Sequence, residues 1–537
     1  MIDTKALREK VLDLAIRGKL VPQDPNDEPA TVLLERIREQ KKQMVKEGKL
    51  KAKDIKNDTV IFKGDDNLHY EQFADGSVKC IEDEIPFELP EGWAWCRFKS
   101  FCYPISDGTH QTPTYTKNGH TFLSAKNVTS WKIDWDNVRY IPEELHIELS
   151  KRIKPQKGDI LLAKNGTIGV AAIVDKEFDF DIYVTLALIR TVSNSINSQY
   201  LLNTMASSTV QSEFRSTLIG IGVQNLHLEH IREVLIPIAP HNEQERITDK
   251  VLSLLPLLET IETNKTNLYS LIETTKSKIL DLAIRGQLVP QDPNDEPASV
   301  LLERIRAEKE ELIKAGKIKR DKKESVIFKG DDNSYYRSGG KCTEKCEDLP
   351  FDLPKGWQWT SLGQCCEKVT DQVASGSFAA LRENVLSLKE PNYAIMVKTA
   401  DFSNNFTKNL TYTDKHGYEF LQNSNLFGGE LILSNIGSIG KVFIVPDLKT
   451  KMTLAPNSVM IRLTNNKCKD YLYYFLLSPT GYTELKAIST GVAMLKFNKT
   501  DLKTIYFPLP PLAEQKRIVK AIETIFATLD DIATQVA

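Results

Sequence analysis

The chain has no long apolar run, no excess of either charge and few cysteines, and each absence removes a class of function. No stretch approaches the roughly 18 apolar residues that a membrane-spanning helix needs. Met1-Ile2-Asp3-Thr4-Lys5 leads into an amphipathic stretch and not into an apolar signal core. Eight cysteines in 537 residues form no regular framework, which fits a reducing compartment and a cytoplasmic protein. Lys plus Arg number 70 against 72 Asp plus Glu, so bulk charge names no partner. A nucleic-acid binder of this composition has to concentrate its basic residues locally. With 41% hydrophobic and 26% charged residues the chain is neither disordered nor fibrous. Its length allows roughly three to four domains.

What is present is a repeat. Leu12 to Arg38 matches Leu280 to Arg306 at 25 of 27 positions; only Lys19/Gln287 and Thr31/Ser299 differ. Val60 to Asn67 recurs as Val326 to Asn333, and Leu89-Pro90-Glu91-Gly92-Trp93-Ala94-Trp95 recurs as Leu353 to Trp359. Residues 98–236 and 360–506 then share only scattered anchors, such as Gly166-Thr167-Ile168-Gly169 against Gly437-Ser438-Ile439-Gly440 and Gly222-Val223 against Gly491-Val492. Similarity returns where Pro240 to Ile247 matches Pro511 to Ile518. Near-identical segments point to one partner or packing surface used twice. Divergent segments in equivalent places point to one task performed on two targets. Uneven drift after a duplication is the plainer alternative.

Residues 243–285 carry a helical pattern with Ile247, Val251, Leu254, Leu258, Ile261, Leu268, Ile272, Ile279 and Leu282 spaced four, three, four, three. That heptad seam predicts a coiled coil roughly 65 Å long, kinked or split at Pro256. Ile518, Ile522, Ile525, Leu529 and Ile532 repeat its first part, and Val11 and Leu14 its last. The central helix is therefore the C-terminal helix followed by the N-terminal one, a circular pseudo-repeat. The expected fold is α/β (α+β): two mixed α/β domains separated by long antiparallel coiled-coil helices about a pseudo-twofold axis. An intermolecular coiled coil is the alternative.

Domain limits follow from these patterns. An N-terminal helical region covers 1–47, a Lys- and Asp-rich linker or arm 48–97, and the first variable domain 98–236. The central helical region covers 237–315, a second linker or arm 316–359, the second variable domain 360–506, and a C-terminal helix 507–537. Within the variable domains Asp159–Ala163, Val170–Val174, Val184–Ile189, Leu431–Leu433, Val442–Val445 and Val459–Leu463 read as strands. Tyr200–Met205 and Tyr471–Leu477 read as short helices. Arg17-Gly18 and Arg285-Gly286 predict helix stops, and the pairs Trp93/Trp95 and Trp357/Trp359 predict core.

At this point the sequence resembles the specificity subunit of type I restriction–modification systems. The resemblance rests on Asp107 to Tyr115 (Asp-Gly-Thr-His-Gln-Thr-Pro-Thr-Tyr), Phe122 to Val128, Lys164 to Gly169, Pro90-x-Gly-Trp93 and the two Pro-x-x-Glu-Gln-x-Arg-Ile segments. It covers essentially the whole chain, and the order and duplication of the motifs are more specific than any one of them. It implies two target-recognition domains, each reading half of a split, asymmetric site in double-stranded DNA. It implies helices that set the spacer and dock two adenine-methylating subunits, which a restriction/translocase subunit then joins. S-adenosylmethionine, ATP and Mg would be bound by those partners, and this chain would need no cofactor or metal of its own and no membrane.

The chain would not be an enzyme. It contains no Asn/Asp-Pro-Pro-Phe/Tyr adenine-methylating loop and no Gly-x4-Gly-Lys-Ser/Thr phosphate loop, and Gly437 to Lys441 has the wrong spacing for one. Glu39-Gln40-Lys41 and Glu514-Gln515-Lys516 resemble the end of a nuclease motif but lack the preceding strand Asp. Cys342 and Cys346 with Cys365-Cys366 are too irregular for a zinc set, and His227 and His230 are a lone pair. The competing functions are a non-DNA coiled-coil scaffold displaying two protein-binding domains, and an enzyme with an unrecognised site.

Base readout needs polar side chains on groove-facing loops, and phosphate contacts need Lys, Arg and backbone N–H groups. In the first domain the candidates are Thr109, His110, Gln111, Thr112, Lys126, Asn127, Lys164, Asn165, Thr167, Gln224 and Asn225. In the second they are Lys398, Asn435, Ser438, Lys441, Thr490 and Lys496. The two Gly-x-x-Gly turns would let backbone approach phosphate, or are simple hairpin turns. Residues 360–506 hold 16 basic against 12 acidic residues and residues 98–236 hold 14 against 14. The lone chain is thus expected to bind DNA weakly and in a salt-sensitive way.

Overall fold

A computed structural model describes residues 3–218, 224–320, 326–339, 342–346, 349–437, 439–491 and 494–536. The chain divides into two units, Ile2–Lys265 and Thr266–Ala537, and the architecture of each is mixed helix and strand.

In the first unit the helix Thr4–Ile16 ends where Gly18 takes a φ of +62°. A side chain there would be strained, and its Cβ would lie 2.5 Å from Pro90 Cγ. Helix Ala30–Lys46 follows, burying Leu33 and Ile37 at four-residue spacing. Residues 48–97, expected to be an exposed linker, instead carry an antiparallel sheet of Val60–Lys63, His69–Gln72 and Val78–Cys80. Composition misled here because much of what this stretch buries is polar. Glu71 is buried and accepts two hydrogen bonds from Arg97, at 2.8 and 2.7 Å. The turn signal was the Gly64-Asp-Asp-Asn67 tetrapeptide, where Asn67 takes a φ of +63°.

Strand Ala94–Arg97 pairs antiparallel with Leu235–Ile238, so the variable domain is entered and left through one two-stranded ribbon. Inside it a four-stranded sheet runs in the order Ala171–Ile173, Ile160–Ala163, Leu186–Ile189, Ser106–Asp107. Side chains alternate between its faces. Ile160 and Leu162 enter a core with Leu201, Met205, Val210 and Phe214 of two helices, Ser198–Met205 and Ser208–Ser216. Leu161 and Ala163 enter another with Leu123, Phe180 and Ile182 of a smaller sheet, in which Phe180–Ile182 runs parallel to His120–Leu123. Burial on both faces explains why these strands read as continuous apolar runs.

The second unit repeats this plan with other residues. Its four-stranded sheet runs Val442–Ile444, Leu431–Ser434, Ser458–Leu463, Cys366–Asp371, the same order of strands. A smaller sheet again contains a parallel pair, Ala394–Val397 with Met452–Leu454. Leu431, Leu433 and Ile461 face one core, while Ile432 and Met460 face the other. Gln358–Ser361 pairs with Tyr506–Leu509 at the domain's entrance and exit. The stretch 316–359, the second expected linker, also holds a sheet, of Val326–Lys329, Tyr335–Gly339 and Cys342–Lys345.

The near-identical segments meet one another inside each unit. Trp93 Nε1 donates to Glu243 at 2.9 Å, and Trp357 Nε1 donates to Glu514 at the same distance. Arg246 grips Asp27 at 2.6 Å and Arg517 grips Asp295 at 2.6 Å. Tyr200 and Tyr471 donate to the carbonyls of Pro237 and Pro508 at 2.8 Å. Lys41 and Lys309 donate to the carbonyls of Lys99 and Gly363 at 2.7 Å. Burial pushes the Glu243 and Glu514 carboxyls above their ordinary range, against the indole N–H bond that lowers them.

The helix His241–Ile284 is continuous through Pro256, so the expected split does not occur. Its first part pairs antiparallel with Thr4–Ile16: Thr4 bonds Glu262 at 2.6 Å and Arg8 lies 3.8 Å from Glu259. Its last part pairs antiparallel with the C-terminal helix Leu512–Val536: Tyr269 reaches the Ala533 carbonyl at 3.4 Å and Lys276 reaches Asp530 at 2.5 Å. Of the seam residues, Ile247, Val251, Ile272, Ile279, Ile518 and Ile522 are buried. Val11, Leu14, Leu254, Leu258, Leu268, Leu282, Ile525 and Leu529 are partly covered. Ile261 and Ile532 are exposed, at 37% and 39%. Ile261 stands beside the first turn of Thr4–Ile16 and Ile532 in the last turns of its own helix, where cover runs out. Among the described residues no helix is long and apolar enough to cross a membrane.

Candidate nucleic-acid interface

Strand register brings the candidate residues of the first domain to one end of its main sheet. Ala163 pairs with Leu186 and Ala187 with Asp107, so the turns after Ala163 and Asp107 emerge side by side. The Leu226 N–H donates to the Lys164 carbonyl at 2.9 Å, which fastens the 224–227 loop against them. The Thr167 hydroxyl donates to the Val128 carbonyl at 3.1 Å, which fastens the 125–128 turn. Four loops distant in sequence therefore share one rim. His110, Lys164, Asn165 and Asn225 line one open cavity of about 440 Å³.

Side chains in this rim divide into two groups. Thr109 lies partly covered and continues the sheet edge, in a parallel bridge with Tyr183. His110, Gln111, Thr112, Lys126 and Gln224 are exposed, and Asn165 and Asn225 are partly so. Lys164 and Asn127, expected to be free to reach DNA, are instead spent on the protein. Lys164 Nζ lies 2.6 Å from the buried Asp107 carboxylate. Asn127 is buried; its amide donates to the Asn137 carbonyl at 3.0 Å and its oxygen caps Ser124. Thr167 also has its hydroxyl committed, although the residue is exposed. His110 and Arg152 each approach Asp107 at 3.3 Å, so one carboxylate gathers three basic side chains around the rim.

The cavity adds His227 and Arg232, which the sequence reading did not select as DNA contacts. Arg232 donates to the Ile105 carbonyl at 2.8 Å from the helix Leu228–Glu233. Their signal was position: they follow the polar pair Gln224-Asn225, His227 at the cap position that starts a short helix and Arg232 in its last turn.

The second domain gathers its candidates in the same way. The Phe497 N–H donates to the Asn435 carbonyl at 3.2 Å, the counterpart of the bond from Leu226 to Lys164. Lys496 forms backbone bridges with both Ile436 and Thr490, and the Ser434 N–H donates to the Lys441 carbonyl at 3.1 Å. Asn435, Lys441, Thr490 and Lys496 thus share one loop cluster, with Lys441, Thr490 and Lys496 exposed. Lys398 opens the short turn after strand Ala394–Val397, the place that the Lys126 turn occupies in the first domain; its ammonium donates to the Asn409 carbonyl at 3.1 Å. Ser438, Gly222-Val223 and Val492 lie outside the described residues. Asp371, at the end of its strand as Asp107 is, pairs with Lys499 at 2.9 Å.

The two Gly-x-x-Gly turns set their glycines alike. Gly166 and Gly437 take φ values of +70° and +79° and face open space. Gly169 and Gly440 are pressed against Gln211 and Tyr482, where a Cβ would come within 2.8 and 2.6 Å. Each turn is anchored at its second glycine and bare at its first.

Cys365 and Cys366 are buried, and burial pushes the Cys365 thiol up to about 12. Among the described residues one group, His69, Glu82 and Glu88, has ligand atoms within 4.8 Å of one another. His69 is already bonded to Glu82 at 2.8 Å, and Glu88 to Lys63 at 3.1 Å.

Two domains of one topology each end in a rim of polar and basic loops that differ from one domain to the other. A family model described as the type I restriction modification DNA specificity domain matches residues 112–273 and again 354–536, more than half of the chain. The chain belongs to that family, as a specificity subunit of a type I restriction–modification system. It is 27% identical over 614 residues to the EcoEI specificity subunit of Escherichia coli, covering 99% of this chain and 90% of that one. To the EcoAI specificity subunit of Escherichia coli it is 26% identical over 593 residues, covering 98% and 90%. A solved chain from a study of complex assembly and conformational transition of the type I R-M system shares the fold, with a TM-score of 0.53 at 17% identity over 84% of this chain and 94% of that one.

Proposed function

We propose that this chain selects the DNA site of a type I complex, each variable domain reading one half of a bipartite, asymmetric sequence. The observation that carries this is the pair of rims: common strand order, a carboxylate with a basic partner at the end of the equivalent strand, buried in the first domain and half-buried in the second, and different exposed side chains. In the first domain the readers are Thr109, His110, Gln111, Thr112, Lys126, Asn165, Gln224 and Asn225, with His227 and Arg232 beside them. In the second they are Lys398, Asn435, Lys441, Thr490 and Lys496.

The helices act as an antiparallel coiled-coil spacer that fixes the separation of the half-sites, and the circular repeat makes the chain a pseudo-twofold mimic of a dimer. The pairing of each terminal helix with its own part of His241–Ile284 supports this. Two adenine-methylating subunits dock on the repeated segments, and the restriction/translocase subunits join through them. Catalysis, with S-adenosylmethionine, ATP and Mg, belongs to those partners, and the complex works in the cytoplasm. The test is base-modification sequencing of the host genome with and without the gene. Loss of N6-methyladenine at one split, asymmetric motif is the expected result. An unchanged methylome, with the methylating partner expressed, would refute the proposal and favour a protein-binding scaffold.

A further inference from the structure

Where helix Ala30–Lys46 packs over strands Val60–Lys63 and Ala94–Arg97, the first unit encloses a cavity of about 70 Å³. Three residues of its wall each carry a buried polar atom with no hydrogen-bond partner: Arg38 Nε, Asp58 Oδ1 and Trp95 Nε1. Trp95 is only 3% exposed. Other polar atoms of these two groups, Arg38 and Asp58, are engaged: Arg38 Nη2 donates to Glu35 and Asp58 Oδ2 pairs with Lys41 at 2.6 Å. Buried polar groups are as a rule satisfied, so three unmet atoms around one cavity call for an occupant.

The unmet set is two N–H donors and one carboxylate oxygen. A carboxylate occupant would face Asp58, and an ammonium would leave both donors unmet. A carboxamide satisfies all three, because its carbonyl oxygen accepts twice while its NH2 donates to Asp58. The space exceeds the roughly 10–15 Å³ that one water requires.

The wall continues outward to the exposed Thr31 and Glu35, beside which Val32 is also exposed. The second unit holds Ser299, Val300 and Glu303 at these places, all exposed, while Arg306, the counterpart of Arg38, is exposed and Trp359 is buried. The Trp359 indole nitrogen is likewise buried without a partner. Glu324, which aligns with Asp58, lies outside the described residues. Exposed residues repeated in this way are not required by packing, and both units bury a tryptophan indole N–H without a partner.

We propose that this cavity is an anchor pocket for an Asn or Gln side chain of the subunit that docks on the repeated helix. The inference rests on the docking reading above. The test labels the tryptophan indoles of the full chain with 15N; the Trp95 resonance is identified by its loss when position 95 carries benzothienylalanine, which keeps the ring shape without the N–H. Acetamide is expected to shift the Trp95 resonance saturably, and acetate at equal ionic strength is not. No response, or an equal response to acetate, would make the cavity a water site and overturn the proposal. With the methylating subunit bound, acetamide is expected to lose its effect, and the position-95 analogue is expected to assemble about tenfold more weakly. A complex that forms at full strength while acetamide still titrates Trp95 overturns the anchor and leaves the docking reading intact. Failure of any complex to form, with acetamide still titrating Trp95, overturns the docking reading and with it the anchor assignment.

Discussion

On the proposed function, two lysines on the first rim separate contact with DNA from support of the surface. Lys164 is almost fully buried beside Asp107, whereas Lys126 is exposed. Lys164→Met keeps the stem and removes the charge, leaving a buried carboxylate facing only His110 and Arg152, each at 3.3 Å. Breaking a buried pair costs about 3–5 kcal/mol. The two remaining cations offset part of this, so a loss of about 2–4 kcal/mol is expected. For a unit of this size that lowers its melting transition by roughly 5–10 °C. Asp107→Asn together with Lys164→Met removes both charges and should recover part of the loss. Lys126→Ala should stay within about 0.5 kcal/mol of the parent. Its effect should appear in DNA binding by the chain with its methylating partners, where the slope of log K against log salt falls by about 0.9 for each phosphate no longer neutralised. Thermal unfolding and fluorescence anisotropy from about 50 to 200 mM salt measure both. A Lys164→Met chain that melts like the parent but has a shallower salt slope would refute the division of the rim.

Three further outcomes are expected. Gly18→Ala should destabilise the first unit by about 1–3 kcal/mol, because φ is +62° and the new Cβ meets Pro90 Cγ at 2.5 Å, whereas Gly166→Ala, facing open space, should cost only the backbone strain of about 1 kcal/mol; equal melting temperatures would contradict this. Burial pushes the Glu213 carboxyl up to about 7 from its ordinary 4.5, so the fold binds that proton more tightly than the unfolded chain and loses stability as pH rises between these values. Glu213→Gln should therefore raise the unfolding free energy at about pH 8, by at most about 3 kcal/mol, and change it little at about pH 4, as read by denaturant unfolding, the reverse order being the refuting result. Exchanging residues 98–236 with 360–506 should invert the two half-sites of the methylated motif and keep the spacer; a changed spacer would count against the helices as its ruler.

Much of the fold was legible because it is written in local periods. The strands around Ile160, Leu186, Leu431 and Val459 are continuous apolar runs, and the helices repeat every three to four residues. What escaped was stability built from polar groups far apart in sequence. Residues 48–97 looked like a linker because Glu71 and Arg97 count as charges in a composition, although they form a buried pair. Lys164 looked like a DNA contact because nothing local reveals Asp107, 57 residues earlier. Asn127 was misread for the opposite reason, its amide being used by carbonyls within ten residues, at Asp134 and Asn137. The rim was legible as a set of motifs, but its division into contacts and supports required the register of the sheet.

On the proposed reading, that division lets one scaffold carry two specificities. Chain entry and exit of each variable domain are paired strands in fixed register, Ala94 with Ile238 and Gln358 with Leu509. Each ribbon is held by bonds from a tyrosine of the variable domain to a carbonyl, Tyr200 to Pro237 and Tyr471 to Pro508. A carbonyl acceptor is indifferent to the side chain around it, so the core above can change from Leu123, Phe180 and Ile182 to Val397, Leu426 and Leu454 without disturbing the clasp. The clasp itself uses repeated side chains, Trp93 on Glu243 and Arg246 on Asp27, none of which reaches the rim. Replacement of a whole domain therefore changes the exposed loops at the far end of the sheet while the bonds that seat it stay the same, whereas replacement of Glu243 or Asp27 leaves every reading residue in place and should weaken them all together.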